Sequence, residues 1–204
     1  MADDLPVAVL ADEENGLSTF FLHRDFRDHF DRHGGTAYAR LAHSEAADLT
    51  LSLSDQRWGA RTLRDPWTLF RNSQPWRPNP ILDAGQFHLV NTTLRYDTRN
   101  DEGNPWWGWY ILADYEYGTG RITNYGLAAP GTRNETLGGA TVYDRRFVDV
   151  RRYNRISPDA SLNVRLVAGG WLSGDDLPMQ RRFSVGGPGT LPGYDFRRTS
   201  GSPD

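Results

Sequence analysis

The chain has 204 residues with a formal net charge of −3, and its isoelectric point of about 5.9 gives no electrostatic case for nucleic acid as a partner. Cysteine is absent and all 23 basic residues are Arg, which removes disulfides, thiolate metal sites, cysteine nucleophiles, a P-loop lysine and a Schiff-base lysine. An aromatic content of 12% beside a mean hydropathy of −0.64 excludes a disordered chain and suits a sheet with one apolar and one polar face.

Residues 1–16 form an acidic, irregular segment whose one apolar run, VAVLA, lacks the basic flank and the length of a secretory signal. No stretch approaches the ~18 apolar residues of a spanning helix, whereas barrel strands need only ~9–11 residues of alternating character. Residues 17–204 read as one domain. A strand is predicted over Leu17–Phe30, a tight turn at Arg32–Gly35 (RHGG), and a second strand over Thr36–His43. The stretch HRDFRDHFDRH clusters His23, His29 and His33 with Asp25, Asp28 and Asp31. These are metal-ligand types, but a solvated strand end is the better reading and no metal is expected.

Farther along, DLTLSLSDQ sets Leu49, Leu51 and Leu53 against Thr50, Ser52, Ser54 and Gln56. The following RDPWTLFRNSQPWRPNP, stiffened by proline, reads as a packed surface loop rather than a stacking groove for a single strand of nucleic acid or a sugar. VNTTLRYDTR sets Val90, Thr92, Leu94 and Tyr96 against Asn91, Thr93, Arg95, Asp97 and Arg99. WYILADYEYG sets Trp109, Ile111, Ala113, Tyr115 and Tyr117 against Asp114 and Glu116. Thr141–Arg155 is a strand dense in charge, with Asp144, Arg145, Arg146, Asp149, Arg151, Arg152 and Arg155, and SLNVRLVAG sets Leu162, Val164, Leu166 and Ala168 against Ser161, Asn163 and Arg165. A period of two throughout means strands. Arg in register with Asp and Glu on the polar face means ion-pair ladders, as on the inside of a wet barrel. The lumen-facing set is then Arg95, Asp97, Arg99, Asp114, Glu116 and Arg165.

Connections alternate. HSEAA, NDEGNP and NRISPD are short, those between Gly59 and Ala84 and between Thr119 and Gly139 are long, and aromatics (Trp58, Trp106, Trp107, Trp109, Tyr117, Trp171) sit near strand ends. Short turns on one rim, long loops on the other and aromatic girdles are the outer-membrane barrel arrangement. Neither G-x-S-x-G nor H-E-x-x-H occurs. No enzyme, catalytic residue or cofactor is expected.

Two stretches carry a resemblance. LRYDTRNDEGNPWWGWYILADYEYG resembles the strand–turn–strand unit of the Omp85 superfamily (the surface-antigen barrel of BamA- and TamA-like proteins), with its Y-D-x-R, N-P and following Gly. RRFSVGGPGTLPGY, opening the segment 181–198, is similar to that family's signature loop: Phe183, Gly186, Gly187, Leu191, Gly193 and Tyr194 match, while Pro192 stands where the family has Arg.

The resemblance implies an all-β fold, an antiparallel meander sheet forming part of an open transmembrane barrel. Roughly seven strands are expected here of about sixteen in the family, which makes the chain a fragment, inactive alone. It implies a place in the bacterial outer membrane and insertion or translocation of polypeptides there. Partners would be outer-membrane lipid and, for the full-length protein, unfolded or secreted polypeptides. The alternatives are a passive channel, a barrel anchoring a fused hydrolase such as a patatin-like lipase, and a soluble sugar-binding β-sandwich. The barrel reading expects Leu49, Leu51, Leu53, Leu94, Ile111, Leu162, Val164 and Leu166 to be exposed on the convex face. It also expects no closure between first and last strands. The segment 181–198 should fold back over the other face, toward Asp97, Asp114, Glu116 and Asp149. With Pro192 in the tetrad, any ion pair must come from a flanking Arg.

Overall fold

Alternating side chains build six long strands: β1 (Phe30–Ala42), β2 (Ala47–Ala60), β3 (Ala84–Asp97), β4 (Trp107–Asn124), β5 (Gly139–Ser157) and β6 (Ala160–Gly174). They come from a computed structural model that describes residues 20–21, 30–60, 67–70, 73, 76, 83–124, 138–185 and 199–201. The six pair antiparallel in the order β1-β2-β3-β4-β5-β6, a meander in one sheet. A short helical turn, Met179–Arg181, leads into β7 (Phe183–Val185), which pairs with β8 (Thr199–Gly201) in a separate small sheet. The large sheet is open: β1 and β6 are its edges, and among the described residues no ladder joins them.

The connections at 43–46, 98–106 and 158–159 define a short-turn rim, and those at 61–83 and 125–138 the opposite, long-connection rim. Strands of 13 to 19 residues exceed the ~9–11 that cross a bilayer.

The expected tight turn at Arg32–Gly35 is instead inside β1, where the four residues pair with Trp58 through Asp55. A Cβ on Gly34 would run into the Asp55 backbone carbonyl. Glycine here permits close approach of two strands, and its turn-like composition misleads. Of the stretch Leu17–Phe30, Phe20 and Phe21 are helical and Phe30 opens β1; residues 17–19 and 22–29 lie outside the described residues.

Register fixes the two faces. On the outer face, Leu41, Leu49, Leu94, Ala113, Val148 and Ala168 stand side by side across all six strands, and Tyr96, Ile111, Val150 and Leu166 form the next row. Of the apolar set named above, Ile111 is half-buried and every other member is exposed, from 41% at Leu49 to 64% at Leu166. An apolar face this broad in water would be a large unexplained patch. On the inner face, toward the long-connection rim, Trp58, Phe87, Leu89, Ile122 and Tyr143 form a core capped by Leu177 from the segment after β6. Trp58 and Phe87 stack with centroids 3.9 Å apart.

Candidate functional site

The polar residues of the inner face converge into two charge clusters, one on each side of Asp114. Toward the short-turn rim a ladder crosses all six strands. Arg40 of β1 donates to Asp48 of β2 at 2.8 Å, and Asp48 faces Arg95 of β3 at 3.6 Å. Arg95 also pairs with Asp97 at 2.9 Å, and Asp97 holds Arg99 in a two-pronged contact, Nε at 2.9 Å and Nη2 at 2.7 Å. Arg99 and Arg151 then take the Tyr110 ring of β4 between them, at 4.8 and 5.0 Å from its centroid. Asp149 of β5, fully buried, accepts from both Arg151 at 2.7 Å and Arg165 of β6 at 2.8 Å. Charge-assisted bonds of 2.7–2.9 Å are the strong kind; Arg40–Asp48 and Arg165–Asp149 link neighbouring strands, while Arg95–Asp97 and Arg151–Asp149 lie within one strand. Among the six expected lumen-facing residues, the ladder unites Arg95, Asp97, Arg99 and Arg165.

Asp114 sits between the clusters and accepts from Asn91 and Thr93, both at 2.9 Å. Its partners are neutral.

The second cluster centres on Glu116, whose side chain is 3% exposed. Tyr143 donates its hydroxyl to Glu116 at 3.0 Å, reaching across Gly118, where any Cβ would fall inside the Tyr143 ring. Arg145 donates from Nη2 at 3.4 Å, and the Nε atoms of Arg145 and Arg181 each lie 3.3 Å from the carboxylate as ion contacts without hydrogen-bond geometry. Arg145 also donates to the Arg181 carbonyl at 3.3 Å. Arg181 lies over Trp58 at 5.1 Å, Arg145 over Phe183 at 5.4 Å, and Phe183 stacks on Phe147 at 6.1 Å. Farther back, Met179 donates its amide to the buried Asp83 at 2.9 Å. The segment 177–183 is therefore fastened to the inner face through charge, stacking and backbone bonds together.

Of the signature-loop set, Phe183 is the described member; Gly186, Gly187, Leu191, Gly193 and Tyr194 lie outside the described residues. Sequence reasoning did not select Arg40, Asp48 or Tyr110, whose roles depend on cross-strand register. It flagged Arg145 and Arg151 only as unusual charge density, and Asp149 also as an acceptor for the segment 181–198, whereas its partners here are Arg151 and Arg165. Among the described residues no group of three or more His, Asp or Glu could hold a metal ion, and residues 23–29 of the histidine cluster lie outside them.

A family model described as the Omp85 superfamily domain matches residues 15–203. The chain belongs to the Omp85 superfamily. No curated protein and no solved structure matches it. Membership makes this an outer-membrane protein of the Omp85 family, and the two-faced sheet is what such a protein needs: an exposed apolar exterior and a charged interior. No helix among the described residues is long and apolar enough to cross a membrane.

Proposed function

We propose that residues 17–204 form part of an Omp85 barrel that inserts or translocates polypeptides at the bacterial outer membrane, with residues 1–16 as an irregular lead. Outer-membrane lipid covers the apolar face, and the two edges, β1 and β6, pair with further strands to complete the barrel. Arg95, Asp97, Arg99, Asp114, Glu116 and Arg165 line its lumen. Phe183, Gly186, Gly187, Leu191, Gly193 and Tyr194 belong to a signature loop that folds into that lumen. Pro192 contributes no charge, so Arg181 supplies the ion pair. The work is strand pairing and guided passage, with no covalent step, catalytic residue or cofactor.

The observation that carries this reading is the fastening of segment 177–183 to the inner face through Glu116 and Arg145. A passive pore needs an open wall there. In this chain the wall is occupied by its own polypeptide.

The test uses the full-length protein in liposomes with an unfolded β-barrel substrate, scoring folding by heat-modifiable migration on a gel. Faster folding than in empty liposomes supports the proposal. No acceleration, together with steady conductance across a planar bilayer, means a passive channel; lipid hydrolysis means an anchored hydrolase.

A further inference from the structure

The outer face at the short-turn rim carries an arrangement that neither the apolar belt nor the inner ladder uses. Register places Trp109 opposite Arg152 and Trp107 opposite Asn154. The Arg152 guanidinium stands over both indoles, 5.0 Å from the Trp109 centroid and 5.7 Å from that of Trp107, while its Nε donates to Asn154 at 2.9 Å. Arg155, one residue past Asn154 and opposite Ser161, takes the inner face by alternation, where it stands over Trp106 at 5.6 Å, so Arg152 is the arginine of the outer pair. The start of β4 is itself held in place, since the backbone amide of Trp107 donates to Asn100 Oδ1 at 2.8 Å.

No carboxylate among the described residues pairs with Arg152, and both its terminal nitrogens are left without a protein hydrogen bond. The acids of this rim are engaged elsewhere: Asp97 with Arg95 and Arg99, Glu102 with Arg95, and Asp101 with the amides of Gly103 and Asn104. Asp159, in the β5–β6 turn, does not pair with Arg152. An arginine on a lipid-facing surface is expensive at mid-bilayer and close to neutral at the interface, where tryptophan also concentrates. Stacking on indole leaves a guanidinium charged and its terminal nitrogens available in a fixed fork, the geometry that matches a phosphate.

We propose that Arg152, on the shelf of Trp107 and Trp109, binds the phosphodiester of an anionic phospholipid in the leaflet at the short-turn rim. The acyl chains lie along Ile111, Val150 and Leu166, the next outer row toward the membrane centre. This rests on the outer-membrane reading above.

The test refolds the chain into phosphatidylcholine vesicles containing a minority of either brominated phosphatidylglycerol or brominated phosphatidylcholine, since bromine quenches indole fluorescence on contact. Each arginine near an anionic interface contributes about fivefold in local lipid enrichment, so phosphatidylglycerol should quench far more strongly. R152Q should bring it toward the phosphatidylcholine level, and R152K, which keeps the charge and loses the fork, should fall between. Excess inorganic phosphate in the buffer should leave the quenching unchanged. Equal quenching by the two lipids in the unsubstituted chain overturns the site and leaves the outer-membrane reading standing, and that comparison needs no variant to fold. Release of the lipid by free phosphate overturns the lipid as its ligand. No quenching by either lipid and no heat-modifiable band overturn both.

Discussion

Glu116 and Arg181 meet at 3.3 Å although one stands mid-strand in β4 and the other lies beyond the end of β6. The contact ties the segment entering the 181–198 stretch to the sheet, and Arg145 faces the same carboxylate from β5. The cluster is asymmetric: one anion faces two cations. Glu116→Gln leaves Arg145, 5% exposed, buried without its counter-charge, a loss of about 3–5 kcal/mol. Arg181→Gln leaves Glu116 paired with Arg145 and should cost only about 1–2 kcal/mol. Urea unfolding of the two variants in detergent micelles measures both values. Equal losses would contradict the asymmetry, and hydrogen exchange at 177–183 should rise in each.

Gly118 and Tyr143 form a second coupled pair, because the Tyr143 ring occupies the space a side chain at 118 would take. Gly118→Ala should cost about 1–3 kcal/mol as overpacking, and Tyr143→Phe about 1.5–3 kcal/mol for the lost bond to a charged acceptor. In a Tyr143→Ala background the space is vacant, so Gly118→Ala should there be nearly silent. A double-mutant cycle with additive costs would show that the ring and the glycine are not in contact.

The strands and their faces were legible in the sequence because one physical signal, alternation with period two, runs through β2 to β6 with few interruptions. Leu49, Leu51 and Leu53 on one face and Arg95, Asp97, Asp114 and Glu116 on the other follow from parity alone. What parity cannot supply is which residues stand opposite one another. The Arg40–Asp48 bond and the seat of Tyr110 between Arg99 and Arg151 depend on hairpin register, which turn lengths and bulges set. The stretch before β2 misled for the opposite reason. Its paired glycines carry the composition of a turn, yet in β1 Gly34 allows two backbones to approach, while Gly35 faces open space.

Asp149 anchors the edge of the ladder, accepting from Arg151 and Arg165 while fully buried itself. Asp149→Asn removes the charge both arginines face. Because Arg151 is 27% and Arg165 43% exposed, water recovers part of the loss, and about 1–3 kcal/mol is expected in place of the full buried-pair penalty. The effect should be local. Amide exchange in β6 should accelerate while that in β3 holds, and uniform acceleration across the sheet would contradict a bond acting between β5 and β6.

Asp101 gives the β3–β4 turn a pH dependence. Its carboxylate accepts the backbone amides of Asn104 and Gly103, each at 2.7 Å, and these bonds hold its pKa below the ordinary carboxylate value. A depressed folded-state pKa means that the turn's stabilisation is fully present above the unfolded value and is lost as pH falls through the folded one. Protection of the Gly103 and Asn104 amides, taken relative to their intrinsic exchange rates, should therefore fall in acid below the usual carboxylate range, and in Asp101→Asn that protection should not change with pH. An inflection that survives Asp101→Asn would assign the titration to another group.

The outer face offers the most direct separation of a membrane barrel from a soluble sheet. Leu53 stands midway along β2, between Ala37 and Val90, with 54% of its surface exposed. His88 lies on the same face nearer the long-connection rim, beside the exposed Asp55 at 3.5 Å. If lipid covers this face, Leu53→Arg should cost about 2–4 kcal/mol and His88→Arg about 0–1 kcal/mol, because the penalty for a charge falls with distance from mid-bilayer. If water covers it, both changes are surface substitutions and should stay within about 0.5 kcal/mol. If a second protein layer covers it, as in a sandwich, both sites should lose stability in buffer as well as in lipid. Measuring both variants by urea unfolding in vesicles decides among the three, since a depth-dependent cost arises only where the covering medium changes from hydrocarbon to headgroup along the strand.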